Sequence, residues 1–302
     1  MKRRQKRKSK RKPLKIIYSN ARGIRSKLTS LKAIIEKQTP DLIIIVESHL
    51  VRNNTIKIKG YDRITYKNRT SNGGRILIAA KNNQNIEMVT IKIHEEMEQL
   101  WVQLMVNNFK FNLAAAYGPV ESRTSTSDIN NWYYELEKSY AENDSNPTII
   151  LGDFNAHIGN DREGIIGNND KIDSGGEALR NLIKRRKLIL GNSSEKCQGK
   201  ITRMDPKGNH SIIDYVITNP EMFDKIQQIN IDEERLWTLT NYTKKRGKPV
   251  EIPSDHNTII ITLNCYKTVK TIKQTIWDLK NEKSMAAFLR DGKSTNMQLT
   301  VR

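Results

Sequence analysis

The stretch from Pro147 to Gly159, PTIILGDFNAHIG, decides how the rest of the sequence is interpreted. Its β-branched, apolar run from Thr148 to Leu151 predicts a short buried strand. Gly152 has access to backbone angles that other residues disfavour, so we expect a sharp turn there that sets Asp153 and Asn155 at the end of the strand. A carboxylate and an amide would then point at one spot. Solvated turns use the same residue types. The residues at the other strand ends are therefore needed to distinguish a functional site from a solvated turn.

The charge balance of the sequence predicts a polyanionic partner. Lys and Arg together number 52 against 33 Asp and Glu, a formal net charge of +19 over 302 residues. Such an excess attracts nucleic acid or an anionic membrane surface. The most hydrophobic run, Leu42 to Val46, is far shorter than the roughly 20 residues that cross a bilayer, and the basic N-terminus lacks the apolar segment of a secretory signal. We therefore expect nucleic acid as the partner and no membrane.

Composition divides the chain into one large domain and two tails. Residues 1–13 include nine basic residues, and such a block repels itself and stays disordered. It would serve as a nuclear localisation signal, a nucleic-acid-binding arm or a solvated tail. Strand and helix patterns run through residues 14–264, which we take as a single catalytic domain. In residues 265–302 we expect a polar linker or a truncated C-terminal extension. The cysteines, Cys197 and Cys265, are too few for a disulfide framework and lack zinc spacing, which favours a reducing compartment.

A polar residue stands at the end of most predicted strands. KIIYSN is strand-like and ends at Asn20; after a helix from Arg25 to Gln38, the continuous apolar strand LIIIVE closes on Glu47. Between Tyr61 and Tyr117 the runs are short and β-rich, which indicates hairpins. Later strands include SIIDYVIT, with Asp214 in its interior, and NTIIITL. The polar residues at the ends of the predicted strands or within them are Asn20, Glu47, Tyr117, Asp153, Asn155, Asp214, Asp255 and His256. If these segments share a core, the residues converge at one rim.

Two further patterns predict local structure. Ser174-Gly-Gly-Glu177 has the S-x-x-E spacing of a capping box, with Ser174 at the N-cap of a helix that ends in basic residues. The segment YTKKRGKP, residues 242–249, predicts a basic loop shortly before Asp255. A solvated flexible loop has the same composition as one that contacts the nucleic-acid backbone. The candidate contacts in this loop are Lys244, Lys245, Arg246 and Lys248.

The residue types at the strand ends suit a hard divalent cation. Carboxylate and amide oxygens without thiolates favour Mg²⁺ or Mn²⁺ over zinc, and the carboxylates would repel one another unless a cation lay among them. Mg²⁺ keeps waters and shares phosphate oxygens, which points to a phosphoryl substrate. His256 beside Asp255 supplies an oriented base or an electrostatic partner for an attacking water. These features predict metal-assisted phosphodiester hydrolysis.

Motifs in this order resemble those of the endonuclease/exonuclease/phosphatase superfamily: NARG at 20–23, VES at 46–48, YGP at 117–119, GDFNAHIG at 152–159, IDYVIT at 213–218 and SDHNTI at 254–259. Within the superfamily, the chain is most similar to the apurinic-type endonuclease domain of non-LTR (LINE-type) retrotransposons, which is normally joined to a reverse transcriptase. The resemblance implies a DNase-I-like, four-layer α/β sandwich, in which two packed mixed β-sheets are flanked by helices and the strand ends form a Mg²⁺ site.

The resemblance also implies ligands for the metal and the substrate. Glu47 matches the main metal ligand, with Asp255 as a nearby or second ligand. Asn20, Tyr117 and Asn155 match residues that hold the scissile phosphate and its transition-state charge.

Three further positions match residues that handle protons. Asp153 matches a carboxylate that positions or activates water or assists the leaving group, and His256 is paired with Asp214. Motif matching leaves open whether His256 or Asp153 takes the proton of the water, so the role is assigned to the pair. The other histidines, including His49, share no spacing, and we expect them on the surface or in loops.

Two departures from the superfamily pattern weaken a role in abasic-site repair. Repair members carry an acidic residue two positions after the first Asn, where this chain has Arg22, and an Asn after Tyr-x-Pro, where it has Val120. Both changes are tolerable in the retroelement branch, and we expect Arg22 to contact nucleic acid. The loop ITRMDPKGNHS also lacks the Thr-Trp pair that often appears there in retroelement relatives.

The leading hypothesis is a Mg²⁺-dependent endonuclease that nicks double-stranded DNA and leaves a 3′-hydroxyl. By family analogy that end primes a reverse transcriptase on the same polypeptide, with element RNA as a further partner and the nucleus as the location. One alternative is a superfamily phosphatase or phosphodiesterase that acts on RNA, a nucleotide or a lipid head group. Another is a relic that binds nucleic acid without cutting it. Basicity favours a long polyanion, because counterion release rewards many phosphate contacts.

Overall fold

The computed structural model describes residues 12–50, 55–67, 75–83, 85–94, 97–160, 171–245 and 248–265, with the backbone alone at Lys245. The predicted tails, residues 1–13 and 265–302, lie almost entirely outside these ranges. Within the ranges, none of the helices is both long and apolar enough to cross a bilayer.

Strands and helices alternate along the described chain. The strands are β1 (Leu14–Asn20), β2 (Leu42–Val46), β3 (Tyr61–Lys67), β4 (Ile76–Lys81), β5 (Ile86–Ile93), β6 (Gln99–Val106), β7 (Phe109–Tyr117), β8 (Thr148–Asp153), β9 (Ile189–Leu190), β10 (Cys197–Gln198), β11 (Arg203–Met204), β12 (His210–Ser211), β13 (Asp214–Thr218), β14 (Ile226–Ile231), β15 (Thr240–Lys245), β16 (Lys248–Pro253) and β17 (Ile259–Leu263). The α-helices are α1 (Leu28–Gln38), α2 (Thr126–Ala141), α3 (Ser174–Arg186) and α4 (Pro220–Phe223), and 3-10 helices cover Arg25–Lys27, Glu121–Arg123 and Gly191–Ser193.

The strands form two large sheets and two small hairpins. The first sheet has seven strands in the order β10-β14-β17-β1-β2-β4-β3, and the second has six in the order β5-β6-β7-β8-β13-β9. Both sheets are mixed: β1 is parallel to β2 and antiparallel to β17, and β8 is parallel to β7 and antiparallel to β13. β11 pairs with β12, and β15 pairs with β16.

The side chains of single strands alternate between two apolar layers. In β2, Ile44 belongs to the core between the sheets, whereas its neighbours Ile43 and Ile45 belong to the cluster under α1. A strand covered on both faces is apolar throughout, which explains the unbroken LIIIV. The outer face of the second sheet packs against α2 and α3 in a cluster that includes Trp132 and Leu182. The predicted four-layer α/β sandwich is therefore confirmed.

Strand direction brings distant strand ends to one rim. Because β1 and β2 are parallel, Asn20 and Glu47 lie at the same edge of the first sheet, and antiparallel β17 begins there, shortly after His256. In the second sheet, parallel β7 and β8 end together, with β8 ending at Asp153. Antiparallel β13 starts opposite, since Asp214 pairs with Asp153. Asp214 is thus the first residue of its strand. The sequence pattern had predicted an interior position, which is wrong.

The turn predicted at Gly152 is wrong. Gly152 continues β8 to Asp153, and the position needs glycine for space: a Cβ would lie 2.3 Å from the carbonyl oxygen of Ala116 on neighbouring β7. The backbone becomes left-handed at Asn155, whose φ is +46°. Asn tolerates this region better than most residues.

The N-cap of α3 lies one position earlier than predicted. Asp173, not Ser174, caps the helix, and its carboxylate accepts a hydrogen bond from the Gly176 N–H at 2.7 Å. The same carboxylate accepts from the His157 N–H at 3.0 Å. Ser174 is the first helical residue and donates its hydroxyl to Glu121 at 2.7 Å on the surface. The serine of the predicted capping box therefore has a different role.

The predicted basic loop is a β-hairpin. β15 and β16 pair up to Lys245 opposite Lys248, and Lys244 and Lys248 are exposed. Arg246, between the two strands, lies outside the described residues. Most side chains of β16 are exposed, so neither strand carries the apolar alternation by which sequence predicts a sheet.

We expect Asp173→Ala to lower the free energy of unfolding by about 2 kcal/mol, because it removes an N-cap and leaves the His157 N–H without its acceptor. Ser174→Ala removes one exposed hydrogen bond and should cost less than about 0.5 kcal/mol. Urea unfolding of the two variants measures the difference. Equal losses of stability would contradict the assignment of Asp173 as the cap.

Candidate active site

A buried amide links the two sheets at the rim. Asn20 is fully buried, and its Nδ2 donates to Glu47 Oε1 at 2.8 Å and to Asp153 Oδ2 at 2.9 Å. Its Oδ1 accepts from the Arg22 N–H at 3.1 Å. The other oxygen of buried Asp153 accepts from the Asn155 N–H at 2.9 Å. Donors at the strand ends and in the turns that follow them therefore orient both carboxylates.

A histidine and an aspartate make a second link between the sheets. His256 Nδ1 lies 2.8 Å from Asp214 Oδ2, and His256 Nε2 lies 3.6 Å from Asp153 Oδ2. The Tyr18 hydroxyl donates to the other oxygen of Asp214 at 2.7 Å. All four side chains are buried. Because both oxygens of Asp214 have partners, this carboxylate holds the imidazole with Nε2 facing Asp153.

Burial and mutual charge shift the proton affinities of this cluster. Burial opposes the charged form of His256, but the Asp214 and Asp153 carboxylates outweigh it and raise its pKa to about 9. Burial, reinforced by Asp214, raises the pKa of Asp153 to about 7 against the opposing charge of His256. The imidazole is therefore a cation at neutral pH, held between two carboxylates.

Asp255 lies beside this cluster and is held by two arginines. Its Oδ2 accepts from Arg22 Nη1 at 2.8 Å and from Arg203 Nε at 3.2 Å. Asp255 is 7% exposed, whereas the Arg22 and Arg203 side chains are 53% and 36% exposed. Burial would raise the pKa of Asp255, but the charges of His256, Arg22 and Arg203 together lower it. Asp255 is therefore an anion at neutral pH.

Tyr117 and Asn155 supply neutral donors from the second sheet. Asn155 Nδ2 donates to the Gly118 carbonyl at 2.9 Å, which fixes the amide. Burial and the Glu47 and Asp153 carboxylates raise the pKa of Tyr117, so its phenol keeps its proton at neutral pH. The rim thus combines carboxylates with uncharged groups that suit a phosphate oxygen.

The residues at the rim fit a divalent metal ion. One ligand atom each from Asp153, Asp214 and His256 lie within 4.8 Å of one another. Hydrogen bonds already use both oxygens of Asp214 and Nδ1 of His256, so these three suit a proton network better than an ion. Asp255 Oδ1, by contrast, is buried with no hydrogen-bond partner among the described residues. A cation bound to that oxygen would offset the free-energy cost of burying it without a hydrogen bond. Glu47, at the same rim, offers a second hard oxygen donor.

The predicted nucleic-acid contacts fall in two places. Arg22 lies at the rim. Arg246 is outside the described residues. The base of the hairpin is tied to the rim, because Ser254, directly after β16, donates its hydroxyl to the Asn20 carbonyl at 2.8 Å. The other predicted contacts, all on this hairpin, are Lys244, Lys245 and Lys248.

Three residues at the rim were missed by sequence reasoning. Tyr18 lies two residues before the end of β1, and alternate residues of a strand share a face, so a phenol in this apolar strand was a usable signal. Arg203 reaches Asp255 from the two-residue strand β11, and no sequence pattern predicts that contact. His49, expected at the surface, is partly exposed but lies 3.3 Å from Glu47 through Nε2.

Residues 111–260 match the family described as endonuclease-reverse transcriptase. The curated proteins gave no significant match. The endonuclease domain of TRAS1, a telomere-specific non-LTR retrotransposon, has a TM-score of 0.60 at 14% identity, over 84% of this chain and 100% of that chain. A 3′-5′ exonuclease from Neisseria meningitidis, NExo, has a TM-score of 0.59 at 15% identity, over 83% of this chain and 100% of that one. An AP endonuclease from Archaeoglobus fulgidus has a TM-score of 0.59 at 14% identity, over 83% and 99%.

At these identities the structural likeness establishes the fold, which confirms the DNase-I-like sandwich. The family match adds evidence from sequence, and it spans the segments that carry Tyr117, Asp153, Asp214 and His256. The chain therefore belongs to the endonuclease/exonuclease/phosphatase superfamily of nuclease and phosphodiesterase enzymes.

Proposed function

We propose that the chain is a Mg²⁺-dependent endonuclease that nicks one strand of double-stranded DNA and leaves a 3′-hydroxyl. The observation that carries the proposal is the buried network in which Asn20, Asp153, Asp214 and His256 join the two sheets. The formal charge of +19 supports a long polyanionic substrate, because each phosphate contact releases counterions. Mn²⁺ would substitute for Mg²⁺, since both accept carboxylate oxygens.

Glu47 and Asp255 would hold the metal ion. Asn20 orients the Glu47 carboxylate, and Arg22 and Arg203 hold one oxygen of Asp255 so that the buried Oδ1 is left for the ion. When bound, the ion would neutralise charge on the phosphate and lower the pKa of a coordinated water.

The neutral donors would hold the scissile phosphate. The Tyr117 phenol keeps its proton, and the Asn155 amide is fixed by one N–H and has a second to donate. Asn20 already donates both Nδ2 hydrogens, so it would act on the phosphate by orienting Glu47 and Asp153. Donors fixed in advance stabilise the negative charge that develops on the phosphate without reorganising during the reaction.

The Asp153–His256 pair would move the proton. Water attacks phosphorus, and the bond from phosphorus to the 3′ oxygen breaks. One member of the pair accepts the proton of the water, and the leaving 3′ oxygen takes up a proton from the other member or from solvent. Asp214 holds the His256 ring in the orientation that this exchange needs. The products are a 3′-hydroxyl and a 5′-phosphate.

The matched family and the TRAS1 domain support an origin in a non-LTR retrotransposon. In that setting the nick would supply the 3′-hydroxyl primer for a reverse transcriptase on the same polypeptide, with element RNA as the template. The basic N-terminal sequence MKRRQKRKSKRK supports a nuclear location, where the chromosomal target lies.

With supercoiled plasmid, the protein should produce nicked circles in Mg²⁺ and none in EDTA. His256→Ala and Asp153→Ala should each slow nicking by about 100-fold or more, because proton-transfer groups contribute that much. His210→Ala changes an exposed histidine outside the cluster and should nick at the rate of the unmodified protein. Sealing of the product by DNA ligase reports the 3′-hydroxyl and 5′-phosphate. Activity that is independent of Mg²⁺, or that survives both substitutions, would contradict the proposal.

The same preparation separates the alternative functions. If a small phosphomonoester is hydrolysed faster than plasmid is nicked, the chain is a phosphatase. Tight, salt-dependent DNA binding without cleavage in Mg²⁺ or Mn²⁺ would indicate a protein that binds nucleic acid only.

We also expect the β15–β16 hairpin to contact the DNA backbone. Replacing Lys244, Lys245, Arg246 and Lys248 with Ala should lower the salt slope of DNA binding by roughly 0.9 for each phosphate that the protein no longer neutralises. The matched control replaces the basic residues at the end of α3, Lys184, Arg185, Arg186 and Lys187, which complement the helix dipole. Equal slopes in the two variants would rule the hairpin out.

The charge on His256 should stabilise the metal-free protein at neutral pH. Its folded pKa of about 9 exceeds the ordinary value of 6.5. The stabilisation is therefore complete below about pH 6.5 and disappears as pH rises through about 9. In EDTA, the urea midpoint should fall more across this window in the unmodified protein than in His256→Gln. His210→Gln should behave like the unmodified protein, and a parallel fall in all three would show that the paired imidazolium contributes nothing.

A further inference from the structure

Two guanidinium groups share one carboxylate oxygen at the rim. Arg22 donates through Nη1 and Arg203 through Nε, both to Asp255 Oδ2. A single carboxylate balances one of the two positive charges, so the cluster keeps a surplus of one. A guanidinium carries five N–H donors, and the described residues provide no acceptor for the remaining N–H groups of either side chain. These groups belong to side chains that are about half or one third exposed.

The backbone fixes this pair next to the buried network. Arg203 forms a β-bridge with His256, and the Met204 N–H donates to the Asp255 carbonyl at 2.7 Å. The backbone N–H of Arg22 donates to Asn20 Oδ1, and Lys27 Nζ lies 3.5 Å from the Arg22 carbonyl. Both arginines are therefore held at the backbone and at the guanidinium, which reduces the entropy that binding would otherwise cost.

We propose that Arg22 and Arg203 form a subsite for a backbone phosphate of the nicked strand, beside the scissile phosphate. The proposal rests on the function proposed above and adds Arg203 to the substrate contacts. Phosphate oxygens accept paired N–H donors from the planar guanidinium, a geometry that Lys lacks. Asp255 orients both guanidiniums through one oxygen, and their exposed, unused N–H groups favour an anion at this place over a second cation.

The chain contains a matched control for this arrangement. Glu137 on α2 also accepts from two arginines, Arg185 and Arg186, whose side chains are 57% and 36% exposed. The two arginines on Glu137 therefore have the same charge and nearly the same exposed fractions as the two on Asp255. Arg186 lies at the end of α3, about 18 Å along the helix from its first residue, and that first turn is the one bonded to His157. Among the described residues, the hydrogen bonds of the two control arginines go to Glu137 and not to a residue of the rim.

The test measures binding of a fluorescent DNA duplex in EDTA over a range of salt concentrations, so that neither metal nor cleavage affects the result. Arg203→Gln and Arg22→Gln should each lower the salt slope, and the double variant should lower it by about 0.9, because the pair neutralises one phosphate. Arg186→Gln, alone or with Arg185→Gln, should leave the slope unchanged. Arg203→Lys keeps the charge and should keep the slope, while it lowers the affinity because lysine cannot present the paired donors.

An unchanged slope in the Arg22→Gln, Arg203→Gln double variant overturns the subsite, even if nicking is slower, because arginines that only position Asp255 would affect metal binding and cleavage alone. A slope that falls equally in the Arg185 and Arg186 variants also overturns it. If the chain binds DNA through this pair but does not nick plasmid, the proposed function fails and the subsite stands. Should Arg203→Gln fail to fold by circular dichroism, the more exposed Arg22→Gln carries the same test with the same expected fall.

Discussion

The ion pair between His256 and Asp214 crosses from one β-sheet to the other. His256 lies shortly before β17 of the first sheet, and Asp214 begins β13 of the second. Their 2.8 Å contact holds only while the two sheets keep a fixed separation and alignment, which in packed sheets is about 10 Å and is set by the side chains between them. The apolar core between the sheets therefore determines the geometry of the rim. A change deep in that core would move one half of the site relative to the other.

The rim breaks the rule that charges stay in water. A buried ion without its partner costs several kcal/mol, so Asp153, Asp214 and His256 are stable only as a connected set. Tyr18 and Asn20 extend this set with neutral donors, since each uses its polar group on a buried carboxylate. Replacing any one member of such a network costs more free energy of folding than a similar change in an apolar core, because its partners are left buried and unpaired. Departures from the rule that interiors are apolar are expected at functional sites.

The resemblance of the motifs implied the sandwich, and the unbroken apolar run of β2 agrees with a strand that is covered on both faces. From the sequence, the polar strand ends were expected to converge at one rim if their segments shared a core; strand direction became known only from the structure. Sequence reasoning failed where the decisive contact is distant or lacks a pattern. The close approach of Ala116 to Gly152 and the hydrogen bond from His157 to Asp173 both depend on the packed structure. The β15–β16 hairpin buries few side chains, so its sequence has no apolar periodicity that would predict the strands.

The charges at the rim explain how Arg22 replaces an acidic residue without disrupting the site. Four carboxylates, Glu47, Asp153, Asp214 and Asp255, lie at the rim with the three cations His256, Arg22 and Arg203. An acidic residue in place of Arg22 would add a negative charge and remove a positive one, which creates a demand for a second divalent ion. With arginine there, such an ion would have to compete with two guanidiniums for Asp255 and give up charge-assisted hydrogen bonds of about 1.5–3 kcal/mol each. Under the proposed subsite, the arginine would favour a backbone phosphate at this edge over a second cation.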